Sequence, residues 1–418
     1  MLELRSPNRL RCVGWLVGAV FVSSIVCAQK PPSLGYVYPP GLQAGTTAEV
    51  RLGIYDYTRD LQYFVHDESI RLTVLGEAGD FHMLAPPFWF GTKSRTGAMP
   101  ISREVPAKIE VPADAIPGQV LWQVANANGF SATAAFVVGE YPDVVENRRQ
   151  NRTQLLSELP VAVSGRIGRI AEVDRYRFSV DKNGPVTLEV MARRLGSNFF
   201  AALQVRDGKG RIVVDEMASE GVDLAHTFSA LGGEEYVVSI HDLDFRGHRS
   251  YVYRLTIVSG PRVVAAYPAG GRRGETREVK FVGYGVATGS AELESVRRKV
   301  TFPDHGTPSV GRHERFGYHL ETPFGTTSAF PLLVTDLFET VEFDFSAEGK
   351  TSPTKLRVDG DVRGAAVTGS LSIAGELDRY ALESTKGQVW LLTLQSRALG
   401  VSSDVNLKVI DREGKEVA

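Results

Sequence analysis

The octapeptide EVDRYRFS at 172–179 is answered by ELDRYALE at 376–383. A chain that writes one segment twice is expected to fold both copies on one plan, so the repeat constrains the fold before any composition does. The offset of 204 holds through Gly165/Gly369, Asp174/Asp378, Tyr176/Tyr380, Leu195/Leu399, Leu203/Leu407, Asp207/Asp411 and Gly210/Gly414. A second, fainter pair flanks the first. YPPGLQAGTTAEV at 38–50 matches YPAGGRRGETREV at 267–279, and NGFSATAAFVVGEYPDVVE at 128–146 matches FGTTSAFPLLVTDLFETVE at 324–342, the second copy being 33 residues shorter in its middle. The order of units is therefore A, B, A′, B′.

Each unit reads as β structure. Tyr176, Phe178 and Val180 alternate with Arg175, Arg177 and Ser179, and Val186, Leu188 and Val190 alternate with Thr187 and Glu189. That is the period of a half-buried strand. The second copy keeps apolar residues at Tyr380, Leu382, Trp390, Leu392 and Leu394. RDGKGR and DREGK set Asp and Gly between apolar runs, as hairpin turns require. Helical periodicity is weak everywhere; ENRRQNRTQLLSEL at 146–159 reads as a helix or as a polar linker. The expected fold class is all-β, with β-sandwiches in tandem.

The first 28 residues read as an export signal: Arg5, Arg9 and Arg11 precede a short apolar run, with Val26 and Ala28 before a cleavage point ahead of Gln29. Both cysteines, Cys12 and Cys27, fall inside it, so a processed chain has no disulfide and no thiol nucleophile. Removing this segment leaves 44 basic and 48 acidic residues. That balance, without basic blocks, argues against nucleic acid as a partner. No later window has the 18 or so apolar residues of a membrane span. The expected location is exported: periplasmic, cell-surface or extracellular.

EVDRYRF (172–178), ARRLGS (192–197), LQVRDGKGR (203–211), EGVDLAHTF (220–228) and YVVSIHDLDFRGHRSYVYRLTI (236–257) together resemble the bacterial pre-peptidase C-terminal (PPC) domain. That family is a jelly-roll β-sandwich found beside secreted peptidases and in large exported proteins. The likeness spans about 160–258, with weaker coverage of 365–418, and the A units look like the immunoglobulin-like modules that precede such domains. After the export signal at 1–28, it implies an immunoglobulin-like sandwich at 29–145, a linker at 146–160 and a PPC-like jelly roll at 161–259. A second immunoglobulin-like sandwich at 260–345, a linker at 346–364 and an incomplete PPC-like domain at 365–418 follow. Counterparts of residues 215–257 are missing from the last unit, so the chain is expected to be the front of a longer protein or a truncated product.

The family also carries an acidic pair after its hairpin, kept here as Asp215 and Glu216, and an Asp in its LGS loop, where Phe200 stands opposite Asp404 of the second copy. With Asp223, Asp242 and Asp244 these acids are candidates for Ca²⁺, which takes several oxygens from loops. Asp215, Glu216 and Asp223 are the set chosen, with turn acids bonded to neighbouring amides as the competing role. His241 and His248 in HDLDFRGHRS suit a transition metal or an exposed hairpin. HERFGYH at 313–319 is not a zincin motif, because its second His comes six residues after the first. No GxSxG, P-loop or GxGxxG pattern occurs. Phe88, Trp89 and Phe90 cannot all face one core from a strand, since neighbours alternate sides, so they are candidates for a sugar-stacking or partner surface. NANGFS at 126–131 reads as a turn.

These features point to a non-catalytic exported binding or scaffold protein that engages extracellular polysaccharide or protein and needs no cofactor. Two alternatives stand beside it: the accessory or targeting region of a secreted peptidase or hydrolase with a catalytic domain beyond residue 418, and a calcium-stabilised surface adhesin.

Overall fold

The computed structural model describes residues 30–84, 99–147, 153–218, 223–304, 314–342, 353–356, 358, 364–371, 375–396 and 405–417. Apart from one 3-10 turn at Arg193–Leu195, its regular structure is strand.

The first A unit comprises β1 (Ser33–Tyr38), β2 (Gly41–Gln43), β3 (Thr47–Tyr55), β4 (Gln62–Val65), β5 (Arg71–Val74), β6 (His82–Leu84), β7 (Met99–Ile101), β8 (Arg103–Glu110), β9 (Gly118–Asn126), β10 (Gly129–Phe130) and β11 (Ala134–Gly139). One sheet runs β1-β3-β8-β5; the other runs β9-β11-β2, with β4 on the far side of β9. This is the strand order of an immunoglobulin-like sandwich. Alternation fills its interior: Leu52, Ile54, Val105, Ala107, Ile109, Trp122, Val124 and Phe136 are all buried between the layers.

β12 (Asp143–Val145), β13 (Gln154–Leu155), β14 (Val161–Arg166), β15 (Asp174–Ser179), β16 (Gly184–Met191), β17 (Ala201–Asp207), β18 (Ile212–Met217), β19 (Leu224–Ala230), β20 (Glu235–Asp242) and β21 (Val252–Ser259) form the B unit. Its sheets run β12-β14-β21-β16-β19 and β13-β15-β20-β17-β18. Without the parallel edge strands β12 and β13, these are the two interleaved four-stranded layers of a jelly roll. Tyr176, Phe178, Leu188, Val190, Leu203, Val238 and Leu255 lie in its core. Burying each such side chain contributes about 1.5–3 kcal/mol, before the entropy of ordering is subtracted.

The segment 146–160 is not a free linker, and residues 153–159 form no helix. Gln154 and Leu155 pair with Tyr176 and Arg177, so this stretch supplies an edge strand of the jelly roll.

A′ repeats A with a smaller set: β22 (Arg262–Tyr267), β23 (Gly270–Arg272), β24 (Thr276–Tyr284), β25 (Leu293–Thr301), β26 (Glu314–Tyr318), the hairpin β27 (Glu321–Thr322) and β28 (Gly325–Thr326), and β29 (Phe330–Thr335). The sequence repeat survives as register. Tyr38 opposite Arg51 becomes Tyr267 opposite Lys280, and the bulge at Leu34/Tyr36 recurs at Val263/Ala265. Parallel pairing of Gly41 with Val137 recurs as Gly270 with Leu333. The equivalent bonds Tyr38-Pro39 and Tyr267-Pro268 are both cis. The 33 residues missing from A′ fall where A builds β4 to β7.

The last unit keeps the beginning of the jelly roll. β30 (Phe338–Val341) pairs in parallel with β32 (Ala365–Thr368), and β31 (Thr354–Lys355) with β33 (Tyr380–Ala381), as β12 pairs with β14 and β13 with β15. Among the described residues beyond β33 no further strand occurs, only an isolated bridge between Ile410 and Glu416. Residues 382–396 form none, and Leu392 and Leu394 are about half exposed. The reason is pairing: β16, their counterpart in the first copy, lies between β19 and β21, and these 418 residues contain no second version of either.

Candidate functional site

Of the three acids chosen for calcium, none meets the others around a common point. Asp215 and Glu216 are neighbours on β18 and so point to opposite faces; Glu216 contacts His226 Nδ1 at 3.0 Å. Asp223 has its oxygens occupied by N–H donors. Its Oδ1 accepts from the amides of Ala192 (2.8 Å) and Arg193 (2.6 Å), and its Oδ2 from the amide of Arg194 (3.3 Å) and from Arg194 Nε (2.7 Å). Four N–H groups thus occupy the acceptor positions of Asp223, and among the described residues it does not join Asp215 and Glu216 in a cluster of ligand atoms. Asp242 behaves alike. It is fully buried and accepts from the amides of Phe200, Asp244 and Arg246 and from Arg246 Nε, at 3.0 to 3.2 Å.

The two hairpin histidines are turned to local bonds: His241 Nδ1 lies 2.9 Å from the Asp242 carbonyl and His248 Nδ1 lies 2.7 Å from Ser250 Oγ. Phe88, Trp89 and Phe90 lie outside the described residues.

Among the described residues, one trio of carboxylates closes to within 4.8 Å: Glu146, Glu172 and Asp174. Glu146 accepts from the Arg166 amide (2.9 Å), Glu172 from the amides of Gly168 (2.6 Å) and Arg169 (2.8 Å), and Asp174 from Tyr253 OH (2.6 Å), which also contacts Tyr176 OH at 2.6 Å. Burial pushes both phenols well above the usual tyrosine range, so they stay protonated. The trio ties the exit from A to the first loop of the jelly roll. Its counterparts in the last unit are Glu342, Glu376 and Asp378, with Tyr380 OH donating to Glu342 at 3.3 Å.

The larger arrangement is a three-way junction. Between A and B, Arg166 reaches Glu104 Oε1 at 3.2 Å while its guanidinium lies over the rings of Tyr36 (4.8 Å) and Tyr38 (4.0 Å). Tyr36 OH donates to the same Glu104 oxygen at 2.7 Å. Burial works to raise the Glu104 pKa, but the Tyr36 bond and the charges of Arg166 and Arg249 outweigh it and hold the carboxyl below its ordinary value. On the other side of the joint Arg254 makes a paired contact with Asp143, the second bond at 3.1 Å. Glycines make room for it: a Cβ at Gly41 would come within 2.0 Å of Arg254, and one at Gly139 within 2.5 Å.

The 3-10 turn that Asp223 pins connects all three sandwiches. Gln119 of A donates to the Arg194 carbonyl at 3.0 Å. The Arg194 guanidinium binds Glu189 at 2.5 Å, and the second Glu189 oxygen takes Arg262 of A′ at 2.6 Å. Burial alone would raise the Glu189 pKa; Arg262 and Arg194 bring it down to about 2. A also meets A′ directly, where Glu140 accepts from the Ala329 amide at 2.8 Å. Beside that bond a cleft of about 390 Å³ opens between the two, lined by Ala44, Ile116 and Glu140 from A and by Gly317, His319 and Ala329 from A′. Thus His319, from the stretch read as a failed zincin motif, borders this cleft, and its Nδ1 lies 3.0 Å from the Thr327 carbonyl.

No family model and no curated protein matches the chain. Among solved structures it is similar to the pre-peptidase C-terminal domain of a Bacillus anthracis collagenase, at 16% identity over 27% of this chain and 99% of that one, with a TM-score of 0.22. It is similar also to the secreted serine protease VesC of Vibrio cholerae (7% identity, 52% of this chain and 49% of that one, TM-score 0.20). A third is the Bacteroides ovatus protein SGBP-B, solved with a mixed-linkage heptasaccharide (7% identity, 49% and 72%, TM-score 0.14). The chain spans about half the length of the protease.

Proposed function

We infer that the chain is an exported, non-catalytic scaffold whose sandwiches are held at fixed relative settings and present their outer faces to extracellular polysaccharide or protein. One observation carries this reading. The contacts between sandwiches pair opposite charges across the seams, Arg166 of B with Glu104 of A and Arg262 of A′ with Glu189 of B, while Arg254, held by Asp143 within B, packs against Gly41 and Gly139 of A. Removing one partner of such a part-buried pair leaves the other poorly compensated, so each pair opposes separation of the modules more strongly than a fully exposed contact would. Flexible domain linkage, the default for small polar interfaces, is thereby opposed.

The test uses the absence of cysteine after residue 27. Spin labels placed through Glu68→Cys in A and Lys209→Cys in B should give a single narrow distance distribution by pulsed electron resonance, and the processed chain should turn over no peptide or glycan in a standard panel. A broad or multimodal distribution, or turnover abolished by changing one of the chain's own acids, would overturn the reading.

A further inference from the structure

The outer face of the β4-β9-β11 sheet carries two phenyl rings brought together from 66 residues apart. Along β9 the side chains of Val120, Trp122 and Val124 enter the core, so Leu121, Gln123 and Ala125 face outward. Phe64 on β4 sits opposite Gln123, and Phe130 on β10 sits opposite Ala125 from the other side of the strand. Ala125 is small enough for the two rings to close over it, with centroids 5.8 Å apart and planes tilted by 45°. Neither ring is buried by doing so: Phe130 remains 61% exposed and Phe64 38%, beside Leu121 at 45%.

The chemistry of this patch selects among ligands. The outward positions of β4 and the middle of β9 are Gln62, Phe64, Leu121, Gln123 and Ala125, with no charge among them. A side-chain amide offers both a donor and an acceptor, which suits hydroxyl groups, while exposed aromatic faces accept the apolar C–H face of a pyranose ring. Two rings and one leucine fall well short of the roughly 800 Å² per partner that a stable protein interface buries. At its lower end the same face meets the junction, where Gln119 bonds to the Arg194 carbonyl, so a ligand held here is held against a fixed frame.

Resting on the scaffold reading above, we propose that Phe64 and Phe130 form a binding platform for a neutral polysaccharide, the rings taking the sugar C–H faces and the amides of Gln62 and Gln123 its hydroxyls. Affinity electrophoresis of the full chain through gels containing mixed-linkage β-glucan, xyloglucan or galactomannan, and through gels containing polygalacturonate, tests it. Retardation by at least one neutral polymer and none by the acidic one is expected. Phe64→Ala and Phe130→Ala should each weaken it about tenfold, and Phe130→Trp should retain it. Because Phe130 projects into solvent, its variants should melt with the wild type. No retardation by any neutral polymer, equal retardation by polygalacturonate, or a Phe64→Ala/Phe130→Ala chain that migrates like the wild type would overturn the platform. None of these results alters the label distances, which judge the scaffold separately.

Discussion

At the level of single residues, the acids show what sequence can and cannot distinguish. An aspartate beside glycines looks the same whether its oxygens face a cation or backbone amides; only the fold reveals that Asp223 and Asp242 each collect four N–H donors. Phe64 and Phe130 were hidden for a different reason. Alternation in Gln62–Val65 separates Phe64 from Tyr63, but nothing in either segment announces that β9 will bring the rings together. Glu189 yields a prediction with a definite sign. Its folded pKa, about 2, lies below the unfolded carboxylate value, so its contribution is fully present above pH 5 or so and is lost as pH falls toward 2. Urea denaturation of wild type at pH 7, 4 and 3 should therefore show a steeper loss of stability than the same series on Glu189→Gln. Parallel slopes would mean that Arg194 and Arg262 do not hold the carboxylate.

For strands, much was legible. The period-2 runs at Asp174–Ser179 and Gly184–Met191 became β15 and β16; the A repeat returned as matching registers, and the B repeat did so in its two opening strand pairs. What escaped was the two-residue β13, too short to display a period and preceded by polar residues that read equally as linker or helix. The interleaving of jelly-roll layers was also beyond reach of periodicity, because it depends on which distant strands pair. Gly139 at the end of β11 tests the seam between A and B. Its Cβ would enter the space of Arg254, so Gly139→Ala should cost about 2 kcal/mol by chemical denaturation, whereas Gly118→Ala, with nothing near its Cβ, should owe any loss to its positive φ alone. Restoration of Gly139→Ala by Arg254→Lys would identify the clash as the cause; equal stability of Gly139→Ala and wild type would remove Arg254 from the seam.

On the scale of the molecule, A, B and A′ touch pairwise, and the turn at Arg193–Leu195 is where their contacts converge. The last unit carries Ala398 at the position of Arg194, so the repeat does not extend this device to the end of the chain. Arg194→Ala should increase the radius of gyration seen by small-angle X-ray scattering while leaving the far-ultraviolet circular dichroism unchanged. An unaltered scattering curve would place the restraint elsewhere. Three bodies joined in a ring behave unlike beads on a thread. Pulling on the two ends of this stretch would load the Glu140, Arg166 and Glu189 contacts in shear together rather than one after another, so it should extend little until the ring gives way as a whole. A surface carried on such a body would keep its bearing under tension, which is the mechanical property a polymer-facing strut requires.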